Sequence, residues 1–191
     1  MAHQPRLFVV VGTPGSGKDL LIRAVRDLGK QHALIVPKHT SRGRRHDDGD
    51  EMICPGETYF DLEGADLVYE NYGTRYGIHC SAVWQGLQHG IFQIAVVSNI
   101  KAVNQLRQLF GSLVVLIFVH SEISAEEYEE LETDSQTSEY VQARSKDFEM
   151  AFQFYLRNFL AFDHVLLSSG TPEDLYDQLF RLFRAYESGI L

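Results

Sequence analysis

At 191 residues, 45% of them apolar and 23% charged, the chain is long enough to bury one proper core and has the composition of an ordinary globular domain. Its net charge of −9 and pI near 5.3 argue against a general nucleic-acid binder, because a phosphate backbone requires clustered cations. No apolar run reaches the roughly 18 residues of a membrane span; Cys54 and Cys80 have neither C-x-x-C spacing nor an evident histidine pairing, so a reduced, metal-free cytoplasmic protein is expected.

The run LFVVV, residues 7–11, is short, β-branched and leads straight into a glycine loop; it is too short for a signal peptide and predicts a strand. A helical pattern follows over residues 19–28. Residues 33–36, 91–97, 113–119 and 164–167 predict further strands, the longer ones buried on both faces of a parallel sheet. Residues 81–89, 99–110, 138–159 and 172–185 carry helical spacing. The last of these opens with Thr171 as N-cap and Pro172 at the first helical position. Strands alternating with helices predict a doubly wound α/β domain. Two segments interrupt the alternation. Residues 40–76, rich in Arg, Asp, Gly and Tyr, predict an inserted antiparallel patch. Residues 122–139 are acidic with a polar centre, and read either as a mobile lid or as a solvated acidic face.

GTPGSGK, residues 12–18, fits G-x-x-x-x-G-K between a predicted strand and a predicted helix, the context this motif requires. Glycine opens backbone conformations in which successive N–H groups converge on phosphate oxygens. The helix adds the positive end of its dipole, and Lys18 a point charge for the outer phosphates. A ligand-free glycine turn is disfavoured by the glycines at 12, 15 and 17, by Lys18 and by the flanks. The candidate ATP-binding set is therefore Gly12, Thr13, Pro14, Gly15, Ser16, Gly17, Lys18 and Asp19. Asp19 stands where such loops carry a Ser or Thr whose hydroxyl goes to Mg2+. A carboxylate also ligates Mg2+, but without the metal it repels the β- and γ-phosphates. Asp19 is thus the candidate Mg2+ ligand, and a strong Mg2+ dependence is expected.

KHTSRGRR (38–45), GETYF (56–60) and GTRYG (73–77), in this order after the phosphate loop, resemble the acceptor site of guanylate kinases. That family shows S-H-T-T-R-x-x-R, G-x-x-Y-x-F and G-x-Y-Y-G. Residues 133–144 resemble its lid and residues 162–179 its last strand and helix, so the resemblance covers nearly the whole chain. It implies an α/β P-loop NTPase fold, a parallel sheet flanked by helices with an inserted acceptor-binding subdomain and a lid. The single domain would have its core at 1–37, 90–121 and 148–191, the subdomain at about 38–89 and the lid at about 122–147. The implied activity is phosphoryl transfer from MgATP to GMP, with Lys18, Arg42, Arg45 and Arg144 as catalytic positions. Arg42, Arg45, Tyr59 and Tyr76 would hold the acceptor phosphate, a role that guanidinium forks and phenol hydroxyls suit. Lys38, Glu70 and Ser98 complete the candidate acceptor set; a solvated basic loop is the other reading of Lys38, Arg42, Arg44 and Arg45.

The departures from the family pattern are specific. Val68 stands at the guanine-reading glutamate, with Tyr69 at the following Trp; Glu70 shares the face of Val68 if no bulge intervenes. Ser98 replaces the strand-end aspartate, and no acidic residue occurs from 91 to 101. Leu131 replaces the first lid arginine, Arg144 matches the second, and Lys38 replaces a serine. Arg23, Arg75 and Lys146 are cations that could compensate. The sister family of ribose 1,5-bisphosphate phosphokinases shares GSGKD, the absent glutamate and aspartate, and an element like GTRYGI, which implies a sugar-phosphate acceptor as the alternative. The missing charges also admit a catalytically degenerate nucleotide-binding regulatory module. His39 could touch phosphate, Trp84 is read as helix-to-core packing, and the aromatic stripe of residues 148–162 as core. Oligomeric state is left open.

Overall fold

The computed structural model describes residues 4–28, 32–46, 48–71, 73–97, 99–121, 138–168 and 171–191, the side chains at 28, 138–145 and 147 excepted. Strand β1 (Leu7–Gly12) is buried along its whole length, as an apolar β-branched run must be when both faces of its sheet are covered. It leads into α1 (Lys18–Leu28), which buries Leu21, Ala24 and Val25 and exposes Asp19, Arg23, Arg26 and Asp27. The remaining elements are β2 (Ala33–Ile35), β3 (Lys38–Thr40), β4 (Met52–Ile53), β5 (Leu67–Asn71), β6 (Thr74–Ile78), α2 (Cys80–Gln88), β7 (Phe92–Val96), α3 (Ile100–Phe110), β8 (Val114–Ser121), α4 (Ser138–Asn158), β9 (His164–Ser168) and α5 (Pro172–Glu187).

The main sheet is five-stranded and mostly parallel, in the order β2-β7-β1-β8-β9. In this order β1 is the central strand, with β7 and β2 to one side and β8 and β9 to the other. The predicted alternation of strands and helices is the one observed. Of the lid expected at about 122–147, residues 122–137 lie outside the described residues, and from Ser138 on the backbone is helical.

Two compact units divide the chain. In the unit of Val10–Ala24 and Val115–Leu191, the Phe118 ring of β8 stacks on Tyr155 of α4 at 4.2 Å and meets Phe162 edge-on at 5.3 Å. Part of the predicted aromatic stripe is thus core, whereas Phe159 and Leu160 at its end are exposed. Helix α5 begins as its sequence foretells: Thr171 accepts from the Asp174 N–H, Asp174 returns the bond, and Pro172 sits in the first turn. Gln178 then closes its amide on both the N–H and the carbonyl of Leu167, fixing α5 to β9.

In the unit of Gln4–Val9 and Val25–Val114, a second sheet runs β4-β3-β6-β5. The inserted patch is antiparallel at β3–β6 and β5–β6 but parallel at β3–β4, because the connection after β3 returns the chain to its starting end. Asp66 takes the first free N–H of α2, that of Cys80, at 2.7 Å. Asn99 caps α3 and donates to the Glu70 carbonyl at 3.0 Å, tying the helix start to the end of β5. Trp84 differs from expectation: it is 39% exposed, its ring 4.8 Å from Phe110, so it bridges α2 and α3 and is not sunk in the core.

Candidate nucleotide and acceptor sites

The loop between β1 and α1 is fixed by backbone conformation and by space. Gly15 and Gly17 have φ of 73° and 84°, the left-handed region that disfavours other residues. A Cβ on Gly12 would lie 2.6 Å from both Ser16 Oγ and the Val119 carbonyl oxygen, and one on Gly17 would lie 2.9 Å from Ser168 Oγ. Both glycines are therefore obligatory where they stand. Ser16 N–H turns back to the Thr13 carbonyl at 3.2 Å, and Leu20 N–H to that of Gly17 at 3.0 Å. The N–H groups of Gly15 and Gly17 meet no acceptor among the described residues.

Lys18 curls over this turn. Its Nζ donates to the carbonyls of Gly12, at 2.9 Å, and Thr13, and to Ser16 Oγ at 3.2 Å. The Thr13 hydroxyl is fully buried with no hydrogen-bond partner among the described residues. A buried orphan hydroxyl is rare and calls for a ligand or water. Together with the unmet amides and the Lys18 ammonium, it fits the oxygen-rich tail of a nucleoside triphosphate. Asp19 is exposed in the first turn of α1 and makes no hydrogen bond or ion pair among the described residues. It fits Mg2+, which usually takes one or two carboxylates together with phosphate oxygens. Among the described residues no cluster of three His, Cys, Asp or Glu side chains forms a metal cage, and Cys54 and Cys80 are separate buried thiols.

The candidate acceptor residues divide over the second sheet. Cross-strand partners share a face, and the register runs unbroken from Leu67↔Ile78 to Asn71↔Thr74. Tyr76 therefore stacks on Tyr69, ring centroids 5.4 Å apart, with Lys38 Nζ 5.8 Å above it. Lys38 also donates to the Val96 carbonyl at 3.0 Å. Glu70 lies with Val68 on the opposite, exposed face, beside Arg75. With no bulge, the condition for Glu70 to share the face of Val68 is met, but that face is not the face of Tyr76. Burial pushes the Tyr69 phenol well above its ordinary range. Tyr59 is 81% exposed, without a partner. Ser98 and the side chain of Arg144 lie outside the described residues.

Arg42 is engaged within the protein. Its Nη1 and Nη2 donate to Asp48 Oδ2 and Oδ1 at 2.7 and 2.6 Å, and Nη1 also to the Gly43 carbonyl at 2.9 Å. Asp48 Oδ2 further accepts from the Arg45 N–H at 2.7 Å. The Asp48 hydrogen bond raises the Arg42 pKa against the opposing effect of burial, with help from the Tyr76 phenol. Burial by itself would raise the Asp48 pKa, but Arg42 and the Arg45 N–H outweigh it and hold it below the usual 3.8. Arg44 is paired with Glu57 and Arg75 with Glu63, while the exposed Arg45 guanidinium has no partner among the described residues. His39 is buried, its Nδ1 accepting from the Asp61 N–H at 2.9 Å and its ring 4.6 Å from His79. It serves the fold of this sheet.

Asp48 is the residue that sequence reasoning missed. The signal was its place three residues after Arg45, in a run of acids directly following the cations.

No family model matches the chain, and no curated protein sequence matches it. Among solved structures, the guanylate kinase from Anaplasma phagocytophilum resembles it with a TM-score of 0.64 over 98% of this chain and 88% of that one, at 17% sequence identity. At that identity the likeness is one of fold. The chain shares the fold of that structure, a mostly parallel five-stranded sheet flanked by helices.

Proposed function

We propose that the chain transfers the γ-phosphoryl group of MgATP to a small phosphorylated acceptor. The observation that carries this reading is the turn at residues 12–18, where forced glycine geometry, unmet amides, the buried Thr13 hydroxyl and Lys18 converge. MgATP supplies the electrophilic phosphorus and the metal charge. Lys18 would neutralise the outer phosphates and Asp19 would hold the metal, with Arg144 of the expected lid at about 122–147 as the further cation for the transferring group. Lys38, Arg42, Arg45, Tyr59 and Tyr76, in an acceptor subdomain at about 38–89, orient the acceptor phosphate. No strong general base is required, because the nucleophile is already a phosphate oxygen and positioning dominates the rate.

GMP is the first candidate acceptor, by fold. Ribose 1,5-bisphosphate is the second, and one observation favours it: on the face that carries Tyr76 and Tyr69, β5 presents no carboxylate to read a guanine. A catalytically degenerate nucleotide-binding regulator would keep the ATP site and lose acceptor binding. Thermal shift with GMP, AMP, dTMP and ribose 1,5-bisphosphate, each with and without MgATP, separates the three. A ligand at 100 times its Kd adds about 2.7 kcal/mol. We expect a MgATP shift and an added shift from one phosphorylated acceptor. A MgATP shift alone supports the regulator, and no shift at all removes the nucleotide reading.

A further inference from the structure

We propose that Asp48 is a positioning residue of the acceptor site: it clamps one edge of the Arg42 guanidinium and thereby turns the other edge to a phosphate. A guanidinium has two edges suited to bidentate recognition, the terminal pair Nη1/Nη2 and the lateral pair Nε/Nη2. The terminal edge is spent on the Asp48 carboxylate at 2.6 and 2.7 Å, and the remaining Nη1 proton on the Gly43 carbonyl. The carboxylate is itself fixed, since Oδ2 also takes the Arg45 N–H. What is left is the lateral edge. Arg42 Nε is buried with no hydrogen-bond partner among the described residues, and Nη2 has spent one of its two protons on Asp48, while the Tyr76 phenol also acts on this guanidinium. Buried donors in native proteins find partners, so an unmet Nε–H beside a half-used Nη2 marks the place of an oxyanion.

The arrangement separates two duties. Asp48 cancels the charge of Arg42 and gives it geometry, while the exposed Arg45 guanidinium, without a partner among the described residues, supplies net positive charge. Naming that oxyanion as the acceptor's phosphate rests on the function proposed above; the two-edged use of Arg42 does not.

The test follows the Arg42 Nε–H by NMR during titration with inorganic phosphate, together with acceptor KM and kcat, in the wild-type chain and in Asp48→Asn and Asp48→Glu. We expect the wild-type Nε–H signal to shift with phosphate. Asp48→Asn keeps the volume but cannot hold both N–H groups, so phosphate Kd and acceptor KM should rise about tenfold, with kcat changed less. Asp48→Glu should recover part of that loss, and the MgATP thermal shift should persist in both variants. An unchanged or tighter phosphate Kd in Asp48→Asn would overturn the proposal, the second outcome showing the carboxylate to be a competitor. Should Asp48→Asn not fold, the wild-type titration decides by itself, a silent Nε–H being the contrary result. If no acceptor turns over while the Nε–H still shifts, the phosphoryl-transfer reading falls and the oxyanion edge stands.

Discussion

Asp19 sets the tone of the nucleotide site at the scale of single residues. An exposed carboxylate in the first turn of α1 repels a triphosphate unless a dication lies between them. We expect wild-type protein to bind ATP only with Mg2+, and Asp19→Asn to bind it with much less regard to the metal; isothermal titration with and without EDTA measures the difference. Equal Mg2+ dependence in both proteins would remove Asp19 from the metal site. Gly17 makes the loop rigid in another way. At φ 84°, with Ser168 Oγ 2.9 Å from a new Cβ, Gly17→Ala combines backbone strain with a clash. It should lower stability by about 2 kcal/mol, or about 4–8 °C in Tm for a chain of this size. An unaltered Tm would mean that the turn relaxes freely.

Titrating groups give the molecule a defined response to acid. Burial lowers the His39 pKa, with a further push from His79 against the opposing Asp61, and burial lowers that of His164 against Asp163. The folded state therefore prefers both imidazoles neutral. Their stabilisation is complete above the ordinary pKa of 6.5 and is lost as pH falls from there through the lowered folded values. Asp48 acts in the same direction in a lower window, its contribution intact above 3.8 and lost as the carboxylate protonates. Urea midpoints should accordingly fall in two stages on acidification. A midpoint flat between pH 7 and 5 would contradict the histidine assignment.

Elements were legible in the sequence where pattern and chemistry agreed. The start of α5 shows this best. Thr171, Pro172 and Asp174 spell a capped helix, and the capping box is formed. Thr171→Ala should cost about 1 kcal/mol and about 2–4 °C in Tm, without affecting ligand binding; a larger loss would mean that the cap also holds β9. The buried strands β1, β7 and β8 were equally plain, because runs dominated by Val, Ile, Leu and Phe have one stable destination. The second sheet was less so. Its strands are short, and no local signal shows that the connection after β3 brings β4 back parallel.

Side-chain pairing was the part the sequence hid. The clustered cations were visible, but not that Asp48, Glu57 and Glu63 would engage Arg42, Arg44 and Arg75 and leave Arg45 exposed, with no partner among the described residues. Ion pairing depends on where a loop folds back, and that is set by tertiary packing. Glu70 makes the same point: alternation gave its face relative to Val68, while the face of Tyr76 required the register of β5 on β6.

At the scale of the whole molecule, a glycine turn at residues 12–18 with unmet amides accompanies a second sheet in which Val68 and Glu70 lie on the face away from Tyr69 and Tyr76. At 17% identity over 98% of the chain the likeness is one of fold, so the chemistry of the loop and the identity of the acceptor rest on the residues themselves. No helix among the described residues is long and apolar enough to cross a membrane. The most direct measurement is ADP release from MgATP in the presence of GMP, AMP, dTMP or ribose 1,5-bisphosphate, in wild-type and Lys18→Ala proteins. We expect release that depends on one of these phosphorylated acceptors and falls at least about 100-fold in Lys18→Ala. Release that is absent with every acceptor, or that survives the loss of Lys18 undiminished, would contradict the account.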